Sequence, residues 1–264
     1  MIAVGIWEVT EVLRALLIAR LNAAPGRVEE FEEWYSHVHL RDALRMRGSI
    51  AAQRFRRCPP PALPLPGPSE FANLTVYDVE DPEAFARAHD EAAGTPGLVM
   101  SSAADLSSVC VHHYYPLVAL GAGLRSGPAA AGVMLAEFGP GSRERADDVI
   151  DAAWRALPEG TGTRAFVAEY RPDGQLFRRP PESPLLCLVQ FRCAPATAAG
   201  LLRAALGQAG AASRVTLFES AGPLLTKQEV VASGVTERES SARRVALADP
   251  SRAWARHRGA AGPP

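Results

Sequence analysis

The strongest constraint on this chain is that one order of elements occurs in it twice. Read by apolar alternation and helical period, residues 14–21 form a strand and 28–46 a long helix; 50–56 and 71–77 are strands, 82–93 a short helix and 109–115 a fourth strand. Residues 132–138, 143–157, 163–170, 185–191, 196–208 and 214–218 run through strand, helix, strand, strand, helix, strand again. This is the split βαβ, or ferredoxin-like, order, and its repetition predicts an α+β protein of two such repeats. Each repeat would form an antiparallel sheet with helices on one face. The two sheets would pack face to face, leaving space between them for a ligand. The predicted units are 14–119, which bears the site, and 130–232, in which the site is degenerate. From 233 the apolar period fades, so 233–264 reads as a mobile tail.

Connections at equivalent places support the duplication. The proline-rich stretch 58–68 cannot be a helix or a central strand, because proline removes a donor and fixes φ. It links the second and third strands of the first half, and 171–184 does so in the second. The glycine- and alanine-rich segment 120–131 joins the halves.

Composition narrows the function. A net charge of −1 offers no field for nucleic acid, and 47% apolar residues suit a protein with a substantial core. No apolar run approaches the roughly 20 residues of a membrane span, and the first ten residues do not resemble a signal peptide, so a cytoplasmic protein is expected. The four cysteines lack paired short spacings and read as small buried hydrophobes.

Chemistry concentrates on the first long helix. Val28, Phe31, Tyr35 and Val38 share the face that must lie on the sheet, His39 borders it one turn after Tyr35, and Asp42 falls near it. Trp34, His37 and Arg41 fall on another flank. The counterpart helix, 146–156, has neither the tyrosine nor the histidines, so the fold does not require them. Strand alternation adds His113 and Tyr115 on one face of the fourth strand, with Cys110, His112 and Tyr114 on the other. Asn73, Thr75 and Tyr77 share a face of the third strand, and Ala52, Arg54 and Arg56 a face of the second. Which phase faces the cavity is open at this stage. Metal is not expected, since the His-x-His pair at 37 and 39 diverges on a helix and His112 and His113 diverge on a strand. There is no phosphate-binding glycine fingerprint before a helix and no Gly-x-Ser-x-Gly elbow.

Residues 31–42, with their Trp-Tyr pair and following His-Leu, and 73–84, with Tyr77 and the Asp81-Pro82 pair, resemble the dimeric α+β barrel superfamily, most of all its EthD-like members. In that likeness His39 matches the helix histidine, Trp34 and Tyr35 the aromatic pair and Asp42 the acidic position, while Arg41 stands where a proline is frequent. The resemblance implies a barrel of two ferredoxin-like sheets fused in one chain. It implies a family of cyclases, isomerases, small monooxygenases, haem enzymes and proteins without assigned roles, so fold underdetermines function.

The expectation is an enzyme without cofactor, acting on a small aromatic or polyketide-like molecule in secondary metabolism by acid–base chemistry. His39, Tyr35 and Asp42 would be catalytic, with His39 as acid or base and Asp42 orienting it. Trp34, Arg54, Asn73, Tyr77, His113 and Tyr115 would bind substrate. A homodimer is compatible with this reading. The rivals are a cofactor-free monooxygenase, a haem enzyme and a non-catalytic binding protein.

Overall fold

A computed structural model describes residues 13–59, 71–121, 129–172, 181–209 and 214–248. Most of the proline run, the centre of the inter-half linker, much of 171–184 and Trp254 lie outside the described residues.

The strands are β1 (Ala15–Ala23), β2 (Ser49–Arg57), β3 (Asn73–Val79), β4 (Ala104–Gly121), β5 (Gly132–Phe138), β6 (Gly162–Tyr170), β7 (Leu185–Phe191), β8 (Arg214–Ser220) and β9 (Leu225–Thr226). The first eight make one antiparallel sheet in the order β3-β1-β4-β6-β7-β5-β8-β2, and pairing of β2 with β3 closes it into a barrel. The short β9 adds to β2 through Ala51↔Thr226 and Ala52↔Leu225.

The first half contributes four adjacent strands and the second half the other four, and they meet along two seams. At one, the 18-residue β4 pairs with β1 near its start and with β6 near its end, from Tyr114↔Tyr170 to Gly121↔Arg164. At the other, β2 pairs with β8 from Phe55↔Ser220 to Arg57↔Phe218.

This corrects the face-to-face packing expected above. Hydrogen bonding edge to edge removes all four free sheet edges, which two stacked sheets would leave exposed. An eight-stranded barrel has an interior just wide enough for side chains to fill. Leu16, Ile18, Phe55, Phe166, Leu188 and Phe218 fill it here, all at most 1% exposed. The space between the halves is therefore core, and the ligand-sized opening lies elsewhere.

Helices cover the outside. Over the second half, α4 (Arg143–Ala156) and α5 (Pro195–Ala209) place Val149, Ile150 and Leu202 on Met134, Val167 and Val189. Over the first half, α1 (Val28–Trp34), a π-helical segment (Tyr35–His39) and α2 (Leu40–Arg45) run as one rod beside α3 (Pro82–Ala92). Asp81 caps α3 by accepting from Ala84 N–H at 2.9 Å, with Pro82 in the first turn.

The chain's end also departs from expectation. Thr226 and Glu229 form a capping box that starts α6 (Lys227–Ser233), and α7 (Glu237–Ala248) packs on α1 and the π segment. Ala242 and Ala246 enter the first-half core, and fully buried Glu239 accepts from Arg45 at 2.6 Å and Arg243 at 3.0 Å. Few apolar residues mark α7 because ion pairs to α1 and α2 do much of the docking. Periodicity alone therefore misreads 237–248 as tail; 249–264 lie outside the described residues.

Candidate active site

The closed barrel fixes the alternation phase that sequence left open. Leu17, Ala19 and Leu21 of β1 and Val109 and Val111 of β4 point outward, toward the first-half helices. So do Tyr77 and Ala52, which join the same cluster, and Arg54, which stacks on Tyr35. Between this face and the helices lies a cavity of about 60 Å³. Its walls are mostly apolar, and four polar-tipped rings reach it from the helices and β3: Tyr35, His39, Tyr77 and His89, with Trp34 beside them.

The π segment sets the register. The Leu40 N–H donates to Tyr35 O, five residues back, so positions five apart come onto one face. Trp34 and His39 are such a pair, with ring centroids 4.8 Å apart; Tyr35 lies 5.0 Å from His39 on the same side. On an uninterrupted α-helix Trp34 and His39 would diverge, as expected above. Trp34 Nε1–H donates to Val99 O at 2.8 Å, which locks the indole.

His39 makes no hydrogen bond. Its Nδ1 is buried and unpartnered, which leaves Nε2 as the ring nitrogen with open surface. Burial, helped by the nearby charges of His89 and Arg54, lowers its pKa to about 3. The ring faces the cavity on one side while protein closes around the rest of it, so its environment is far drier than its residual exposure suggests. His39 is therefore neutral at pH 7.

The Tyr35 and Tyr77 hydroxyls lie 3.4 Å apart. Burial, and then Tyr35, raise the Tyr77 pKa well above the usual tyrosine value, so Tyr77 stays an O–H donor. Arg54 sits 4.5 Å over the Tyr35 ring, pairs with Glu32 Oε2 at 3.0 Å and donates to Ser36 Oγ, leaving Nη2 buried without a partner.

Besides Arg54, which packs on Tyr35 without lining the cavity, four expected site residues are placed elsewhere. Asp42 accepts from Val99 N–H at 3.0 Å and from Arg243 at 2.5 Å, so its carboxylate anchors α7 and does not orient His39. Asn73, at the start of β3, is buried with Oδ1 unpartnered and does not line the cavity. His113 stacks edge-on to Phe85 at 6.0 Å, and Tyr115 lies 5.0 Å beneath Arg171. Both share the outward face but not the cavity.

His89 is the residue the sequence reading missed. It follows Phe85 by one turn on the buried face of α3, and that i,i+4 spacing was available as a signal. Among the described residues no cluster of three metal-ligating side chains occurs. A wider surface cleft of about 540 Å³ between α1 and α7 is lined by Arg27, Glu30, Glu33 and Val245, and shares Trp34 as a wall with the cavity. We place the site at the smaller cavity because only there do His39 and the tyrosines converge.

The acid behaviour of His39 is testable. Below pH 6.5 the unfolded chain takes up a proton that folded His39 refuses until about pH 3, so its contribution is full above 6.5 and lost on acidification. At about 1.4 kcal/mol per pH unit, lowering pH from 6.5 to 4.5 should cost about 2–3 kcal/mol through this group. Urea unfolding at pH 7 and 4.5 should show His39→Leu losing less stability than wild type by that amount. Equal losses would mean the ring is not dry.

No protein-family model and no curated protein matches the sequence. Solved structures do. An anthrone oxidase-like protein superposes with a TM-score of 0.52 at 11% identity, covering 87% of this chain and 100% of that one. A presumed monooxygenase of Fusobacterium nucleatum gives 0.48 at 7%, covering 80% and 94% of the two chains. Another, from Lactobacillus acidophilus, gives 0.42 at 10%, covering 81% and 97%. At such identity the first of these shows the fold alone, an α+β protein with a closed antiparallel barrel. Among the described residues no helix is long and apolar enough to cross a membrane.

Proposed function

We propose that the chain is an enzyme that moves a proton next to a carbonyl of a compact organic substrate, using its own side chains. The observation that carries this reading is His39: a neutral imidazole with one nitrogen open, on a mostly apolar cavity beside two tyrosine hydroxyls. Such a base is weak in the empty site. It gains basicity when the proton it takes leaves an enolate beside it, because imidazolium and enolate then neutralise each other in a dry pocket. Substrate C–H would give its proton to His39 Nε2, and the carbonyl oxygen would take the negative charge as Tyr35 or Tyr77 donates to it. Trp34 and Arg54 would hold the helix rings in place. The tandem ferredoxin-like origin of the barrel and its EthD-like kinship belong to this proposal too, supported by the repeated element order.

Size limits the substrate. Pockets that enclose drug-sized ligands run to roughly 300–1,000 Å³. A cavity of about 60 Å³ takes a small molecule, or one ring of a larger one if segment 94–103 gives way. The residues present do not fit a haem, since the cavity beside His39 leaves no room for a macrocycle.

A second reading is favoured by the small apolar space next to the base, together with the barrel shared with an anthrone oxidase-like protein. Dioxygen would react with the enolate, which makes the enzyme a cofactor-free oxygenase. One experiment separates these readings. Hydroxylated aromatic ketones and 1,3-dicarbonyl compounds would be incubated with the full chain in D₂O under air and under argon. Deuterium at the acidic carbon under argon supports proton transfer, and oxygen consumption under air adds the second reading. Saturable binding with neither outcome would leave a binding protein and overturn the proposal.

A further inference from the structure

Trp34 lines two spaces at once. The cavity that holds His39 measures about 60 Å³, and the surface cleft between α1 and α7 about 540 Å³. Among the described residues Trp34 alone borders both. The chain beside it divides the same way, since Met100 faces the cavity and Ser101 the cleft.

The indole is fixed as a wall. It is 2% exposed, its Nε1–H donates to Val99 O at 2.8 Å, and Val99 N–H donates in turn to Asp42 Oδ2 at 3.0 Å. On the cavity side its ring lies 4.8 Å from His39 and edge-on to Tyr35 at 5.5 Å. The π segment brings Trp34 onto His39, so one extra residue in a helical turn both stacks the base and closes its cavity. In the cleft, α7 offers Ala242, Val245 and Ala246, apolar surface on which an alkyl tail can lie.

We propose that Trp34 sets the size limit of the site: it ends the substrate pocket at the cavity and shuts off a cleft that would hold the rest of a longer molecule. This rests on the reading of the cavity as the active site. Any large wall residue leaves space when truncated, but Trp34 differs in what lies behind it. Phe85 also lines the cavity, is 1% exposed and does not border the cleft. Truncating Phe85 enlarges a closed space, whereas truncating Trp34 joins the cavity to a surface cleft.

Straight-chain methyl ketones of four to ten carbons provide the test, because the reacting group stays constant while the tail grows. Their binding to the full chain would be measured by titration calorimetry. Each methylene buried should tighten binding about fourfold, so wild-type affinity should stop rising once the tail meets Trp34. In Trp34→Ala it should keep rising, the ten-carbon ketone binding about tenfold or more tighter than the six-carbon one. Wild type and Phe85→Ala should show less than about a twofold difference between the same two ketones. Trp34→Phe keeps a ring in the wall and should behave as wild type. Trp34→Leu carries the test should circular dichroism show the alanine variant unfolded. The proposal is overturned if the Trp34 variant stops at the wild-type chain length or if Phe85→Ala extends as far. It is also overturned if neither wild type nor the Trp34 variant binds any ketone of the series. Deuterium exchange beside the carbonyl would be read in the same samples. Loss of exchange with the chain-length pattern intact would remove His39 as the base and leave Trp34 as the size limit.

Discussion

Replacing His39 with alanine is expected to lower kcat/KM by about 10²–10⁴-fold on any substrate found by deuterium exchange, the usual contribution of a positioned acid–base group. His37→Ala should change it by less than about threefold, because His37 lies at the exposed flank 3.9 Å from Glu33 and does not line the cavity. The pair controls for charge and helix propensity, since the two histidines sit two residues apart in the same π segment. Structural loss is separable from catalytic loss. His39 Nδ1 makes no hydrogen bond, so alanine there strands no partner, and Tm should fall by only a few degrees. A variant that keeps its melting temperature and loses turnover supports the base. If both variants retain activity, proton abstraction is carried by another group, with His89 across the same cavity the first to examine. Loss in kcat with KM unchanged would place the effect in the transition state; loss confined to KM would make His39 a binding group.

What sequence could show here follows from the range of each interaction. Strand and helix existence depends on local period, and the eight strands and four longer helical stretches expected from it are present, all ending within a few residues of prediction except β4, which extends beyond 109–115 to Ala104–Gly121. Closure into one barrel depends on which edges meet, as at Tyr114↔Tyr170 and Phe55↔Ser220, and no local pattern encodes that pairing. The π segment is similarly hidden. One extra residue in a turn rotates Trp34 onto His39, and an ideal period of 3.6 puts them apart. Asp42 was assigned to His39 from helical spacing, whereas its real partner, Arg243, is 201 residues away on a helix with almost no apolar signal. Trp34, Tyr35, His39 and Tyr77 do come together at one cavity. Their shared feature is legible: aromatic and imidazole side chains on a buried helix face and on an alternating strand.

The barrel interior offers the largest stability effect. Burial works against the charge of Arg20, and Glu137 and Cys110 more than offset it, so the guanidinium is held firmly protonated. Arg20→Met would leave Glu137 in the core with only the half-exposed Arg214 at 3.8 Å, and stranding one member of a buried pair typically costs about 3–5 kcal/mol. The pair itself need not be worth that much, because desolvation of both groups opposes their attraction. Arg20→Met combined with Glu137→Leu should therefore regain most of the loss, giving a large coupling energy in a double-mutant cycle read from urea midpoints at pH 7. A single variant that loses less than about 1 kcal/mol would show that solvent reaches Glu137 and that the interior is not dry. A double variant as unstable as the single would assign the cost to packing against Phe71, whose ring lies 5.2 Å from the Arg20 guanidinium, and not to the abandoned carboxylate.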